Sequence, residues 1–411
     1  MNGSSRMPVS RRGFLGAAAA AGTVAVAGRP RAQGAQKLTV SVGRQPYAAG
    51  NSPITQYMMD NKLFEKHAAD EGYELTVDWR DYPSALPMVE AFVSNNLDLG
   101  IWGNTPIIRG IAAGQPWSVL GVGEGHLRFV LATRPDSGIR KVQDLQGKTV
   151  GALLGGDPYN ALSQILLQEL GSGDPRAHGI KLINTPTQAQ AATIPTGMDA
   201  AIVIHPAFLK AQAEIGTVGI VNSFGYTESH YKGPAGEGAG ILLESVKKSK
   251  FYPDGYYLHR SFWIGRDQVI DAHPKIIVAF TVALQDAIQK LSAMEAGAIS
   301  QLVHKYWGLP PELGAKVVDD EVLFIRDWVW PTEGDVSAIL EISKFMTEGR
   351  LIDKALTWEQ VTQNVAKAAP LLKQAYERSG SVPPMAEFTS ADAKDLRGLP
   401  TWESAQWKAR S

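Results

Sequence analysis

From Lys37 onward, short runs rich in β-branched residues alternate with runs whose apolar positions recur every three or four residues. The strand pattern appears at 38–43, 74–79, 97–101, 117–122 and 127–133, and again at 148–153, 180–184, 199–204 and 218–223. Helical spacing lies between them. Pro53 to Ala69 brings Ile54, Tyr57, Met58, Leu63 and Phe64 towards one face, and Pro158 to Leu170 does the same with Leu162, Ile165 and Leu166 before stopping at Gly171. Strands alternating with helices predict mostly parallel sheets flanked by helices. Two such sets predict an α/β chain of two lobes. Beyond Tyr256 the pattern changes. A strand-like run at 256–264 precedes a long helix from Pro274 to about Met294, and helical spacing continues to Ser379, with Gly380 as a stop. Residues 381–411 read as a loose tail that Trp402 and Trp407 would dock on the body.

The first residues follow a different logic. Ser10-Arg11-Arg12-Gly13-Phe14-Leu15 leads into Ala-rich sequence to Ala27. A basic start, a short apolar stretch and small residues at a cleavage point make a signal peptide. Phe14 to Ala27 is shorter than the about 20 residues a membrane span needs. The paired arginines followed by Phe and Leu resemble the twin-arginine export signal, and Arg29 and Arg31 suit that route. Cleavage fits after Ala27 or nearer Ala35.

The chain of 411 residues has no cysteine. That removes a lipobox, disulfides, a thiol nucleophile and thiolate metal ligands, so an exported, untethered protein is expected. Residues 1–35 hold five of the 40 basic residues and none of the 41 acids, leaving a formal charge of −6 on the remainder. Net negative charge argues against nucleic acid and anionic membrane surfaces as partners.

Candidate chemistry sits at the strand-to-helix junctions. Gly50-Asn51-Ser52-Pro53, Gly103-Asn104-Thr105-Pro106, Gly155-Gly156-Asp157-Pro158 and Ile204-His205-Pro206 share Pro at a helix start. Ligands of open α/β sheets sit beyond the carboxyl ends of the strands. Helix N-termini carry unpaired N–H groups and about half a positive charge, so they suit an anion. The candidate ligand-binding residues are therefore Gly103, Asn104, Thr105, Gly156, Asp157, Asn160 and His205, with Trp102, Tyr47 and Tyr159 beside the junctions. Arg44 follows the first strand, and Arg260 would face the cleft if 256–264 is a hinge strand. Asp157 would compete with an anion and is equally suited to capping its own helix. Arg44 is equally suited to the solvated surface, and the aromatics to core packing. The Gly233–Gly240 loop reads as a connector.

Catalytic patterns fail. Gly147-Lys148-Thr149 resembles the end of a P-loop, but Val142 replaces the leading Gly and a strand follows. Ser245-Val246-Lys247-Lys248 lacks the companion motifs of acyl-transfer enzymes. The eight His lack metal-ligand spacing. No metal, cofactor or catalytic residue is expected.

Several segments in order resemble one family. Leu97 to Pro106 followed by Ile111-Ala112-Ala113-Gly114-Gln115-Pro116, then Val142 to Gly151, then Thr196-Gly197-Met198-Asp199-Ala200 with Pro206, are similar to the periplasmic substrate-binding proteins of nitrate, taurine and alkanesulfonate ABC importers. The resemblance covers about residues 38–290. It implies the two-lobed type II fold, with two hinge strands and a ligand held by the 103–106 loop, the 155–160 loop and residues near His205. It implies a monomer that captures a small anion in the periplasm and delivers it to an ABC permease and its ATPase, after export by the twin-arginine translocase. Tyr47, Trp102 and Tyr159 point to an aromatic or bulky sulfonate or carboxylate. The boundaries expected are a signal peptide at 1–35, lobe 1 at 36–128 and 256–345, lobe 2 at 129–255, and a helical C-terminal extension at 346–411. Two alternatives stay open: a solute receptor for a membrane sensor, and a cysteine-independent enzyme on the same fold. Relatives with desulfinase or pyrimidine-synthase activity rest on cysteine, which this chain lacks.

Overall fold

The structure is a computed structural model of the chain, and residues 35–46, 52–124, 127–223, 260–318, 322–323 and 333–379 are described. The signal peptide, Tyr47, Gly50 and Asn51, the 233–240 loop, residues 256–259, Gly380 and the tail with Trp402 and Trp407 lie outside the described residues.

Ten strands among the described residues form two five-stranded sheets. The first contains β1 (Gln36–Arg44), β2 (Tyr73–Asp81), β3 (Leu99–Gly103), β4 (Trp117–Glu124) and β10 (Ser261–Arg266), in the order β2-β1-β3-β10-β4. The second contains β5 (Phe129–Thr133), β6 (Thr149–Ala152), β7 (Lys181–Asn184), β8 (Ala200–Ile204) and β9 (Val218–Asn222), in the order β7-β6-β8-β5-β9. In each sheet β1 or β6 pairs in parallel with both neighbours. β10 runs antiparallel to β3 and β4, and β5 runs antiparallel to β8 and β9. Each sheet therefore has four parallel strands and one reversed strand at the same place in the order. This is the two-lobed α/β architecture expected. The chain crosses from the first sheet to the second between β4 and β5, and returns to enter the first sheet as β10.

The strands are buried for the reason their composition suggests. β3, β5 and β8 are buried along their whole length, as central strands covered on both faces must be, and so is β4 at the edge of its sheet. Alternation then divides the second sheet between two cores. Phe129, Leu131, Ile202 and Ile204 pack with Leu162, Ile165 and Leu166 of α5 (Asp157–Leu170). Val130, Ala132, Ala201 and Val203 face the other way, into the apolar core that also fills the first lobe.

The apolar run at 53–69 forms two helices, α1 (Ser52–Asp60) and α2 (Leu63–Asp70). The break is at Lys62, which has φ 48°, where the Asn61 side chain donates to the Tyr57 carbonyl at 3.0 Å. The turn lets Phe64 meet Phe280 edge-on at 5.2 Å. The remaining helices of the cleft region are α3 (Ala85–Val93), α4 (Asn104–Ala112), α6 (Gln188–Ala192) and α7 (His205–Ile215).

The C-terminal part contains α8 (Asp267–Ala272), α9 (Pro274–Ser292), α10 (Ala296–Trp307), α11 (Pro311–Val317), α12 (Glu333–Glu348), α13 (Trp358–Ala366) and α14 (Ala369–Ser379). α12 runs across position 346. α12 and α13 pack on α4, and α14 packs on α9. Their Val336, Ile342, Met346, Val361 and Leu372 belong to the first lobe's core. No single helix among the described residues is long and apolar enough to cross a membrane.

Candidate ligand-binding cleft

A cavity of about 50 Å³ lies where the carboxyl ends of the parallel strands of both sheets meet the starts of β5 and β10. Gln45, Gly103 and Glu124 follow or end β1, β3 and β4, while Leu153 and Ile204 follow or end β6 and β8. Phe129 and Ser261 open the two reversed strands. The lining also includes Ser84, Gly156 and Ile204, so with Gly103 it holds the N-cap residues of α3, α4, α5 and α7. None of these four residues closes its helix with a side-chain hydrogen bond. The N-terminal ends of helices from both lobes thus border one cavity, an arrangement whose positive end charge favours an anion or other acceptor.

Asp157 is the centre of the site. It stands at the first turn of α5 in the second lobe, and its Oδ1 accepts from the Thr105 backbone N–H of α4 in the first lobe at 2.8 Å. The carboxylate takes a hydrogen bond from its own backbone at the start of α5 and also closes the N-terminus of the opposite lobe's helix. Its other oxygen lies so close to Gly103 that any Cβ there would collide with it. Gly103 is therefore a packing requirement, with an ordinary φ of −80°. Burial pushes the Asp157 carboxyl up to about 6, against hydrogen bonds from Thr105 that favour the charged form. Asn160, one turn on, donates to Thr105 Oγ1 at 3.1 Å and so adds a second bond across the lobes.

Arg109 follows on the same helix. It lies against Gly155, where a Cβ would meet its guanidinium. Burial lowers its pKa, partly offset by Tyr159. Tyr159 itself has its phenol pushed up by burial and does not line the cavity. Gly155 has φ +85°, a conformation only glycine adopts without strain.

The other expected residues divide. Trp102, Gly103, Gly156 and Asp157 line the cavity. Asn104, Thr105 and Asn160 are buried in the contact between α4 and α5. Trp102 stands behind the lining, edge-on to Phe92 at 5.2 Å and tilted against Trp117 at 5.4 Å, so much of its ring is core. His205, at the start of α7, and Arg260, just before β10, are fully buried and do not themselves line the cavity. Arg44 does not reach it either. In the β1–β2 register Arg44 stands opposite Asp81, and its guanidinium bonds that carboxylate at 2.6 Å, Gln56 at 3.0 Å and Tyr306 at 3.1 Å. Burial works against that charge, but the hydrogen bonds that Arg44 donates to Asp81 and Tyr306 outweigh it and hold the pKa above its ordinary value. Ser52 and Pro53, the described part of the first junction, are core residues, and among the described residues α3 supplies a fourth helix end.

Sequence reasoning missed Gln45, Ser84, Glu124, Gln188 and Ser261. Gln188 accepts from the Ile204 N–H at 2.9 Å, which leaves its amide nitrogen without a hydrogen-bond partner among the described residues. Ser261 Oγ is buried in the same condition. Both are donors on the cavity wall. A signal for them existed: each stands at a strand end or a helix start, the positions that face the cleft in this architecture.

The family model described as NMT1/THI5 like matches residues 69–296. A stretch of 93 residues is 31% identical to a Bacillus subtilis (strain 168) protein named, provisionally, as aliphatic sulfonates-binding. That match covers 22% of this chain and 27% of the relative, about a quarter of its length. The fold matches the periplasmic aliphatic sulphonate binding protein SsuA from Escherichia coli with a TM-score of 0.55 and 20% identity, over 78% of this chain and 91% of that one. It also matches the desulfurization enzyme DSZB with a TM-score of 0.54 and 14% identity, over 83% and 99% of the two chains. One fold thus carries both binding and catalysis. The family match spans more than half of the chain, from α2 through the whole second lobe to the start of α10, and on that ground the chain belongs to the NMT1/THI5-like family.

Proposed function

We propose that this chain is the extracytoplasmic solute-binding protein of an ABC importer. It captures a small organic anion, a sulfonate or a carboxylate, between its lobes and hands it to a membrane permease and its ATPase. The observation that carries this reading is the convergence of four helix N-termini, drawn from both lobes, on one cavity. A ligand held there touches both sheets and so stabilises their closed arrangement. The reading is of a monomer that binds without turnover. The chain has no cysteine on which a thiol-dependent reaction could rest, and among the described residues no cluster of metal-ligating side chains occurs.

The test is thermal unfolding of purified protein with a panel of alkane- and arenesulfonates and carboxylates. A ligand present at 100 times its Kd stabilises by about 2.7 kcal/mol, which raises Tm by several degrees. If no member of either class raises Tm, the proposal falls. Export is read from Arg11-Arg12. Replacing both by Lys should leave the protein in the cytoplasm, and normal delivery of that variant to the periplasm would refute the twin-arginine route.

A further inference from the structure

The cavity contains an apparent contradiction. Helix N-termini invite an anion, yet the N–H of Thr105 at the start of α4 already holds the Asp157 carboxylate at 2.8 Å. That carboxylate is buried, pressed against Gly103, and forms no ion pair with any described residue. Glu124 lines the same cavity. Two neutral donors on the wall, the Gln188 amide and the Ser261 hydroxyl, are more than nine-tenths buried and have no partner among the described residues. The donors suit a ligand with acceptor oxygens, while the acid occupies the strongest electrostatic position for such oxygens.

We propose that Asp157 decides which anions this cleft admits: its carboxylate competes with the ligand's anionic head for the N-terminus of α4, so capture of a permanently charged anion is coupled to uptake of a proton. The inference rests on the reading that the cleft binds an organic anion. Two negative groups cannot share one helix end in a desolvated cavity without large repulsion. The ligand head enters when Asp157 is protonated. The neutral carboxyl then gives up its hold on Thr105 and can donate its own hydrogen bond to the ligand. Lowering the pH favours this step, and the burial that raises the Asp157 pKa to about 6 brings it near the neutral range.

The charged groups around Asp157 are few. From α4 comes Arg109, against Gly155, and from its own helix Tyr159. β4 contributes Glu124, while β5, β6 and β8 contribute none. The two short 3-10 turns packed on α5 carry Asp144, Arg176 and His178. Arg128 and Arg260 are buried at the crossings between the lobes, and His205 is buried at the start of α7, where its backbone N–H donates to the Arg128 carbonyl. The groups that act directly on the Asp157 carboxyl are the hydrogen-bond donors of Thr105 and its own backbone.

The experiment is calorimetric titration of alkane- and arenesulfonates, which stay ionised throughout, at pH 5.5, 6.5 and 7.5. The wild-type chain is compared with Asp157→Asn and Asp157→Ala, each shown to melt cooperatively. Wild-type affinity should fall about tenfold or more from pH 5.5 to 7.5. Both variants should bind at least about tenfold tighter than wild type at pH 7.5 and lose most of the pH dependence. Any part of that dependence that comes from His205 or Glu124 persists in the variants. Sulfonate binding that is independent of pH in the wild type, or no tighter in the variants, overturns the inference and leaves the anion-binding reading standing. If neither the wild type nor the variants bind any sulfonate, and carboxylates fail as well, the reading falls and the inference with it.

Discussion

The two lobes are built on the same strand order and bury themselves differently. The first sheet is enclosed by α9 and by helices from the end of the chain, and its core runs without a break through Trp102, Phe92, Trp117, Trp263 and Phe280. The second sheet has a smaller core of its own around α5, and its opposite face shares the first lobe's core. The lobes therefore differ less in fold than in who supplies their packing. The first lobe is the fixed wall of the cleft. The second depends on the first for one of its faces, so the two are coupled through apolar contact as well as through Asp157 and Asn160.

The largest expected effect comes from the fixed wall. Trp102→Ala removes a fully buried indole that meets two aromatic neighbours, and should cost about 3–5 kcal/mol in urea unfolding. A cost below about 1 kcal/mol would mean the wall is not held by this cluster. Next, adjacent residues on β5 separate the two cores. Leu131→Ala should cost about 3 kcal/mol and speed amide exchange in α5 and β6. Val130→Ala, a smaller truncation, should speed exchange in α7 and in the first lobe. If both variants loosen the same amides, the second sheet does not serve two cores.

The last effect, spread over a pH range, concerns the bond between the lobes. The Asp157 pKa is raised from 3.8 to about 6 on folding. Between those values the folded chain holds a proton that the unfolded chain releases. Stability is therefore greatest below about pH 4, falls as pH rises to about 6, and is level above that. The Asp157 contribution is about 3 kcal/mol. Asp144 and Asp174, whose pKa values are lowered by hydrogen bonds, act in the opposite direction and are exposed. Subtracting the Asp157→Asn stability profile from that of the wild type isolates the buried acid. A difference that does not change between pH 4 and 6 would show that Asp157 is not buried between the lobes.

Much of the fold could be read from periodicity because central strands and amphipathic helices leave local patterns. Runs such as Ala200-Ala201-Ile202-Val203-Ile204 are strands whatever surrounds them. The break at Lys62 was hidden, since the apolar spacing continues on both sides and only the turn towards Phe280 explains it. The junctions were legible through Gly and Pro. Their partners were not. Asp157 and Thr105 are 52 residues apart, and nothing in either segment records that one lobe's acid closes the other lobe's helix. Arg44 misled for the same reason, because Asp81 joins it only through the pairing of β1 with β2.

The place of β10 has a consequence in time. All five strands of the second sheet lie between Phe129 and Asn222, whereas the first sheet needs Ser261–Arg266 between β3 and β4. As the chain leaves the ribosome, the second sheet has all its strands first. Until Arg266 emerges, β2-β1-β3 and β4 are separate fragments with two open edges, the kind of edge that invites wrong pairing. A chain stalled with residue 222 just clear of the ribosome has one sheet complete and the other split. A chain stalled with α9 clear of the ribosome has the strands of both sheets in place.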